Sequence, residues 1–499
     1  MEIKFFLPLA ELSAILIILL SGCIPQPARL ETLDDFRKTF AAKRNNSVLP
    51  SGNTLTLESA IAISLQNNPT NLAAAQAVTA AKHGYYQALS AYLPEINAGY
   101  SVKHTLARGW DLKDPPAGMF RQNNHFITSG SIQASFLLFD GFARELETII
   151  AHQKYQKNIA ASRNVRRLLA RAVAFAYYDM YLAGEEIIIH NEDLAFQNAA
   201  LIQEEQRFRG GHVSKASVLN FKILAARAQS NISNAEYRRK TAFHALTALM
   251  GCERRQMPRD IKLQKISAEH FEPIYDDEFY LELAVNNRPD LKEEKILLDI
   301  AFRNTQKVYS DFLPEIWLLS EFALETYRAK YGHGSDLAAH GNQRSFAYGA
   351  EGRWNIFKGF YSVNELQKQK ALEKIALWGV NLRFLEIVSE VKDACSNCKN
   401  TLRQVQIFQS MAEWVREQRD LVFSEYRNGR ETITRLNEAQ SLLIEAKSKL
   451  VISTIQFNKA AVQLAAVTGT QRLDFSGKTQ IKKNSKSSDK EGSSDPDCG

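Results

Sequence analysis

The feature that most limits how this chain can fold is an internal duplication. Five landmarks of the 499-residue sequence occur twice at an offset of 218 to 220 residues. They are residues 68–72 with 288–291, 92–96 with 312–316, 139–142 with 357–360, 207–211 with 425–429, and 250–251 with 468–469. Because self-similarity at a fixed offset marks a repeated structural unit, the sequence predicts one fold built twice.

Each copy is predicted to run through a helix, two strands and two very long helices. In the first copy a helical pattern covers residues 57–89, alternating patterns cover 95–103 and about 129–139, and helical patterns cover 143–208 and 212–250. The second copy places strands at 315–325 and 345–357 and long helices at 361–428 and 430–468. At 1.5 Å per residue, the first long helix of each copy would be roughly 100 Å long.

The predicted strands are amphipathic and have the length of membrane-spanning strands. In the first strand Ile96, Ala98, Tyr100 and Val102 alternate with Asn97, Gly99 and Ser101. In the last, Phe346, Tyr348, Ala350, Trp354 and Ile356 alternate with Ala347, Glu351, Arg353 and Asn355. About nine to eleven such residues suit a transmembrane barrel. A soluble sandwich would show the same alternation, so the strands alone leave both architectures open.

The long helices favour the barrel. The last of them has the three-and-four steps of a coiled-coil seam, at Leu436, Ala439, Leu443, Ala446, Leu450, Phe457, Ala460, Leu464 and Val467. Four strands cannot close a barrel and open edges are not tolerated in lipid, so several chains must complete it. The predicted fold is mainly α-helical with a small membrane β-barrel portion: a duplicated helix, strand, strand and long-hairpin unit, three copies of which form a twelve-stranded barrel and an α-helical tunnel.

Several of these strings match a known family. They are the opening segment 55–62, the run Asn67-Asn68-Pro69, the Leu-Pro pair before the first strand of each copy, the Phe-Asp-Gly and Phe-Lys-Gly strand ends, and the tips. From Leu55 to Gly469 the chain resembles the TolC-type outer-membrane efflux proteins. The resemblance implies a homotrimer in outer-membrane lipid, with a periplasmic tunnel that docks a periplasmic adaptor protein joined to an inner-membrane pump. Such a trimer is the passive exit duct of a tripartite efflux or type I secretion system.

The same resemblance assigns the functional residues. Gly211 and Gly429 would lie at the periplasmic tips of the long hairpins, where the adaptor docks. Family members carry a ring of acidic residues six and nine positions after the second tip glycine, and this ring narrows the entrance. Here those positions hold Arg435 and Glu438, and their first-copy counterparts are Ser217 and Asn220. These four are the entrance-gate candidates, and the substitution of a base means that the family's cation preference is not carried over.

The two ends of the chain are predicted to lie outside the duplicated unit. Residues 1–22 have the form of an export signal, and Leu20-Ser21-Gly22-Cys23 resembles a lipobox, which implies a lipid anchor on Cys23 in the outer membrane. The alternative, an uncleaved anchor helix, has only about nine apolar residues, too few to span a bilayer. We expect a lipidated linker over 23–54, efflux repeats over 55–251 and 281–469 joined by a linker over 252–280, and a disordered tail over 470–499.

The sequence shows no catalytic constellation, so neither an enzyme activity nor a cofactor or metal site is expected, apart from the lipid on Cys23. Cys395 and Cys398 have the spacing of a redox or metal pair but lie in a helical pattern, and we favour core packing or a strained surface pair. His333 and His340 are interpreted as solvated loop residues rather than metal ligands. The net charge of +7 is not gathered into one patch, so nucleic acid is not an expected partner.

Two other functional classes compete with the exit duct. A lipid-anchored structural spacer without a pore would have strand pairs that do not enter the membrane. A periplasmic adaptor would have one long hairpin beside a lipoyl-like domain, and two equal copies argue against it. The residues after Cys23 lack the Gly-Pro-Asp-Tyr string of many lipid-anchored family members, so the sequence assigns neither a drug, a metal ion nor a protein as substrate.

Overall fold

The duplicated unit is present in the structure, a computed structural model that describes residues 54–111, 119–252, 261–266, 276–332 and 337–470. The export signal, Cys23, His333 and the tail after residue 470 lie outside these residues. The first copy contains β1 (Thr54–Leu55), α1 (Leu57–Asn67), α2 (Pro69–Ser90), β2 (Glu95–Asp111), β3 (Met119–Phe139), α3 (Ala143–Arg209) and α4 (Lys215–Leu249). The second contains β4 (Lys262–Leu263), α5 (Asp277–Asn287), α6 (Pro289–Lys307), β5 (Glu315–Gly332), β6 (Leu337–Arg353), α7 (Tyr361–Arg427) and α8 (Ile433–Thr468).

The helix predicted over 57–89 is two helices, and the sequence-based interpretation was wrong at Asn68. Pro69 stands at the first position of α2, where its missing N–H does no harm, and it forces the preceding residue out of the helical region. Asn68 accordingly has φ −66° and ψ 125°, and its counterpart Arg288 has φ −67° and ψ 121°. Both copies therefore begin with two helices that meet at a kink.

The four long strands form one antiparallel sheet in the order β2-β3-β5-β6, and each is longer than predicted. They contain 17, 21, 18 and 17 residues. The alternation of polar and apolar residues fades beyond His104 and Thr326, because polar and basic residues there share a face with Ile96 and Phe322. At the other end β6 stops at Arg353, so Trp354 and Ile356 lie beyond the strand rather than in it. The interpretation of His340 as a loop residue was wrong, because it pairs with Arg328 inside β6.

Each long first helix begins with the same unusual turn. Gly141 and Phe142 both have positive φ, at 70° and 68°, and Gly359 and Phe360 repeat this at 60° and 64°. A left-handed conformation costs a non-glycine residue about 1–2 kcal/mol. Each of these phenylalanines makes an edge-to-face contact with the last phenylalanine before the turn, with ring centroids 5.5 and 5.4 Å apart. The turn from sheet to helix is thus the same in both copies.

The helices that adjoin the strands form a second layer below the sheet. Next to the strands, α2 packs on α3, α3 on α6, and α6 on α7. Farther away, α4 packs on α3, α8 on α3 and α7, and the hairpins α3–α4 and α7–α8 lie side by side. Both α3 and α7 are continuous helices of 67 residues, as predicted within one residue at each end.

The cores lie between the hairpins. One cluster, around Tyr177, Leu246 and Met250, includes Ile455 and Val462 of α8, so the last helix of the second copy completes the core of the first. A second cluster joins α5, α6, α7 and α8 around Cys395 and Cys398, which are buried, as the core-packing interpretation predicted. Among the described helices, α8 alone is apolar enough to cross a membrane by length and composition, and four of its seam residues, Phe457, Ala460, Leu464 and Val467, pack in the second cluster.

Candidate functional site

The sheet has two chemically different faces. In one row across the four strands the register aligns Ile96, Ala134, Ser320 and Tyr348, and in the next row Asn97, Gln133, Glu321 and Ala347. We call the face of Ile96 the apolar face and the face of Asn97 the polar face. On the polar face Gln133 Nε2 donates to Glu321 Oε1 at 3.0 Å, and the hydroxyl oxygens of Ser101 and Ser129 lie 2.8 Å apart.

The acidic residues follow the same division. Every acidic residue whose side chain is described in these strands lies on the polar face by its register; these residues are Glu95, Glu315, Glu321, Glu325 and Glu351. The apolar face carries exposed aromatic and aliphatic side chains, including Tyr100, Phe322, Phe346 and Tyr348. A hydrated, hydrogen-bonding face opposite an aromatic face is what the wall of a water-filled membrane pore requires.

Both layers end in open edges on the same two sides. Strands β2 and β6 are each paired on one side only within the described residues, and the helices that adjoin them in sequence, α2 and α7, are the outer helices of the next layer. Helix α2 contains no buried residue. Helix α7 exposes 60–67% of Ile375, Trp378, Leu382 and Leu385, which follow the three-four-three step of a coiled-coil seam. A single chain therefore leaves an apolar helix edge and two strand edges uncovered.

The predicted tip residues lie in the two hairpin turns. Gly211 has φ 81° and Gly429 has φ 72°, a conformation that glycine adopts without strain. The N–H of His212 donates to the carbonyl of Arg207, and the N–H of Arg430 to that of Glu425, both at 3.0 Å. This is the Schellman hydrogen-bond pattern of a helix end, and it is identical in the two tips.

The four gate candidates lie in the first two turns of α4 and α8. Ser217 and Asn220 are half-buried, whereas Arg435 and Glu438 are exposed. Arg435 Nη1 lies 3.5 Å from Glu438 Oε2, so the structure brings these two together in one ion pair. A base and an acid at this spacing leave the start of α8 without the net negative charge that two acids would give.

A contact that the sequence analysis missed joins the two tips. Tyr426 of α7 donates its hydroxyl to Glu204 Oε2 of α3 at 2.8 Å, and the Arg207 guanidinium lies 5.4 Å from the Tyr426 ring centre. Glu204 is only 2% exposed. Burial, together with the Glu204 carboxylate, raises the pKa of Tyr426 to about 12, so the hydroxyl keeps its proton at neutral pH. We call Tyr426, Glu204 and Arg207 the tip latch.

Three further polar contacts tie α3 to α8 above the latch. Gln440 donates to Asp193 at 3.0 Å, and Lys447 and Lys459 donate to Glu192 and Asp179, each at 2.5 Å. Glu192 precedes Gly211 by 19 residues and Lys447 follows Gly429 by 18, while Asp179 and Lys459 lie 32 and 30 residues from the same glycines. Opposite charges at nearly equal distances in sequence from the two tip glycines are the signal that could have predicted these pairs.

The described residues contain no group of three or more histidine, cysteine or acidic side chains that could hold a metal ion. The cysteine pair is also poorly suited to redox chemistry, because a thiolate is the reactive form. Burial raises the pKa of both the Cys395 and Cys398 thiols to about 11. The pair therefore acts as apolar core.

Comparison with known proteins identifies the same architecture elsewhere. The sequence model of the family described as "Outer membrane efflux protein" matches residues 60–252 and 280–470. The outer membrane channel CmeC of Campylobacter jejuni superimposes with a TM-score of 0.70 at 14% identity, covering 90% of each chain. CusC, which forms a transmembrane channel, gives a TM-score of 0.68 at 18% identity and covers 83% of this chain and 92% of its own. The outer membrane protein VceC of Vibrio cholerae gives 0.67 at 16% identity, covering 83% and 96%. No curated protein sequence matches this chain.

Proposed function

This chain belongs to the outer membrane efflux protein family, and we propose that three copies of it form the passive exit duct of a tripartite efflux or type I secretion system. The observation that carries the proposal is the coincidence of open edges in both layers. Because α2 continues into β2 and β6 leads into α7, each side of the chain presents one strand edge and one helix edge together. A ring of copies covers both edges at once, whereas a single chain covers neither.

The two faces of the sheet set the orientation of the chain in this ring. The apolar face points to lipid and the polar face lines the lumen, because unpaired carboxylates are not tolerated in a hydrocarbon core. Three copies give twelve strands, an even number typical of outer-membrane barrels. The exposed seam of α7 then packs on the neighbouring copy's α2, whose many alanines permit close approach. No cofactor takes part, and a lipid on Cys23 anchors the mature chain in the outer membrane.

The tips form the periplasmic entrance in this proposal. Gly211 and Gly429 make the reversals that a periplasmic adaptor contacts, and Ser217, Asn220, Arg435 and Glu438 follow them at the opening. The tip latch holds the α7–α8 hairpin against the α3–α4 hairpin. Opening requires the two hairpins to separate. Because separation would leave the buried Glu204 carboxylate with fewer hydrogen-bond partners, the latch opposes it.

Single-channel conductance of the purified oligomer in a planar bilayer tests the proposal. We expect small, brief openings of the wild-type protein. Tyr426→Phe removes a hydrogen bond to a charged group, worth about 1.5–3 kcal/mol, and should raise the open fraction by about ten- to a hundredfold. Tyr237→Phe is the matched control, because Tyr237 is 70% exposed on α4 and its hydroxyl is no part of the latch.

One outcome would contradict the duct, and another would contradict the role of the latch. An oligomer whose strands never enter a bilayer would support the lipid-anchored spacer instead of a duct. A conducting oligomer in which Tyr426→Phe and Tyr237→Phe behave alike would leave the duct in place and remove the latch from its gating.

A further inference from the structure

The apolar face of the sheet carries a basic row at the end far from the helices. The register aligns His104, Phe126, Arg328 and His340 directly across the four strands. His104 and Phe126 are in ring contact, with centroids 6.2 Å apart. Arg344 lies on the same face, opposite Leu324 and closer to the helices. The side chains of Arg328, His340 and Arg344 are exposed.

The height of this row matches the edge of a bilayer. Leu318 is the exposed aliphatic residue of the same face near the point where the strands give way to helices. Arg328 follows it by ten residues, which at about 3.4 Å per residue and a tilt of about 40° corresponds to roughly 26 Å along the membrane normal. The apolar band of an outer-membrane barrel is about 25 Å tall. In a membrane barrel, this height places Arg328 and its row at the headgroups of the outer leaflet.

The charge of this surface is one-sided. No acidic residue whose side chain is described in these strands shares the apolar face with Arg328 and Arg344, since Glu95, Glu315, Glu321, Glu325 and Glu351 all lie on the polar face. Arg344 lies within the band, about four residues below Arg328, and its long side chain can extend toward the same headgroups while its stem packs on apolar surface. A guanidinium presents paired N–H donors that match the oxygens of a phosphate.

We propose that Arg328 and Arg344, with His104 and His340 beside them, bind the phosphate groups of anionic lipid in the outer leaflet. The proposal rests on the duct described above, because it requires the apolar face to be the outer face of a membrane barrel. Charge complementarity and the position around the barrel wall favour a lipid. A soluble partner would need a protruding surface, whereas this row follows the boundary of the hydrocarbon layer. In a trimer the row occurs three times around the barrel.

Native mass spectrometry of the detergent-solubilised full-length oligomer measures this binding and the number of subunits together. The probes are a glucosamine-disaccharide lipid carrying two phosphates and the same lipid with both phosphates removed. The wild-type trimer should bind the phosphorylated probe about tenfold or more tightly than the other, and Arg328→Gln with Arg344→Gln should abolish the preference. Arg328→Lys with Arg344→Lys keeps the charges but loses the paired donors, and should retain part of it.

Lys103→Gln is the matched control. Lys103 precedes His104 in β2, so it lies at the same height on the opposite, polar face. It should leave the preference unchanged. A conducting trimer that binds both probes equally, or one in which Lys103→Gln weakens binding as much as the double arginine variant, would overturn the lipid proposal alone. A chain that forms no membrane-inserted oligomer would overturn the duct and this inference with it.

Discussion

Asn68 and Arg288 occupy equivalent positions in the two copies, and each reaches a carbonyl near the end of the last helix of its copy. Asn68 Nδ2 donates to the carbonyl of Leu249 at 2.8 Å, and Arg288 Nη1 lies 3.4 Å from the equivalent carbonyl of Val467. The backbone is the same at both places, but the amide of the first copy is neutral and the guanidinium of the second is charged. The same geometry is therefore held in two ways.

The buried, charged Arg288 side chain needs acidic partners, whereas the neutral Asn68 side chain does not. The Arg288 side chain is only 1% exposed, and it donates to both Asp290 oxygens, at 3.0 and 2.6 Å, and to Glu390 at 2.5 Å. Asp290 also accepts from Arg383 and, at 3.2 Å, from Arg167. Because Arg167 belongs to α3, this ionic cluster links the second copy to the first. The acidic partner of the buried Arg288 guanidinium therefore also connects the two copies.

The largest effect on stability is expected when the ionic cluster loses Asp290, its central carboxylate. Asp290→Asn leaves the buried Arg288 without its main counter-ion, which should lower the free energy of unfolding by about 3–5 kcal/mol. The equivalent first-copy residue is the exposed Thr70, and Thr70→Ala should change stability by about 0.5 kcal/mol or less. Thermal and denaturant unfolding followed by helical circular dichroism would measure both. Equal losses in the two variants would show that the copies are held by the same kind of contact after all.

The pH dependence of the free energy of unfolding is a second test of the ionic cluster around Asp290. Burial alone would raise the pKa of Asp290, but hydrogen bonds from Arg288 and Arg383 outweigh it and hold the pKa well below its usual range. A depressed carboxyl pKa contributes stability that is fully present above the unfolded value and is lost progressively as pH falls from that value through the folded one. The stability difference between wild type and Asp290→Asn should therefore stay constant from pH 8 to about pH 5. A difference that shrinks within this window would contradict the lowered pKa.

The glycine that closes each copy gives the next effect. A Cβ on Gly251 would lie 2.6 Å from the carbonyl oxygen of Asn67, whereas one on Gly469 would meet nothing nearer than 3.0 Å, at the carbonyl carbon of Asn287. Both glycines have positive φ, so both alanine variants carry about 1–2 kcal/mol of backbone strain. Gly251→Ala should lose about 1 kcal/mol more because backbone must also shift.

Gly184→Ala is the control for these variants. Gly184 lies in the interior of α3 with open space around the added methyl group, so the change should stabilise the protein by about 0.5–1 kcal/mol. Unfolding measured under the same conditions would rank the three. If Gly469→Ala proved as costly as Gly251→Ala, the second copy would be packed as tightly against its kink as the first.

The duplication also explains what the sequence could predict. The recurring landmarks predicted the positions of the turns at Gly211 and Gly429 and of the long helices. These elements could be predicted because a glycine that ends a helix and helical periodicity are both local signals. The ionic cluster was missed because it differs between the copies and joins residues far apart in sequence, 123 positions in the case of Arg167 and Asp290. The strands were underestimated because alternation fades where His104 and Arg328 replace apolar residues. The strands continue past this basic row, so the loss of pattern does not mark a strand end.

The smallest effect on stability, and a direct test of whether both tips line the entrance, comes from Arg435. The Arg435–Glu438 pair is exposed, so Arg435→Asp should change unfolding by no more than about 0.5 kcal/mol, and an acid in the first turn of α8 is itself favourable. Ser217→Asp makes the equivalent change in the first copy. If the second hairpin alone lines the opening, Arg435→Asp should shift the reversal potential toward cation preference in a salt gradient, and Ser217→Asp should not. Equal shifts would mean that the two tips face the pore alike, and no shift in either would remove Arg435 and Ser217 from the path.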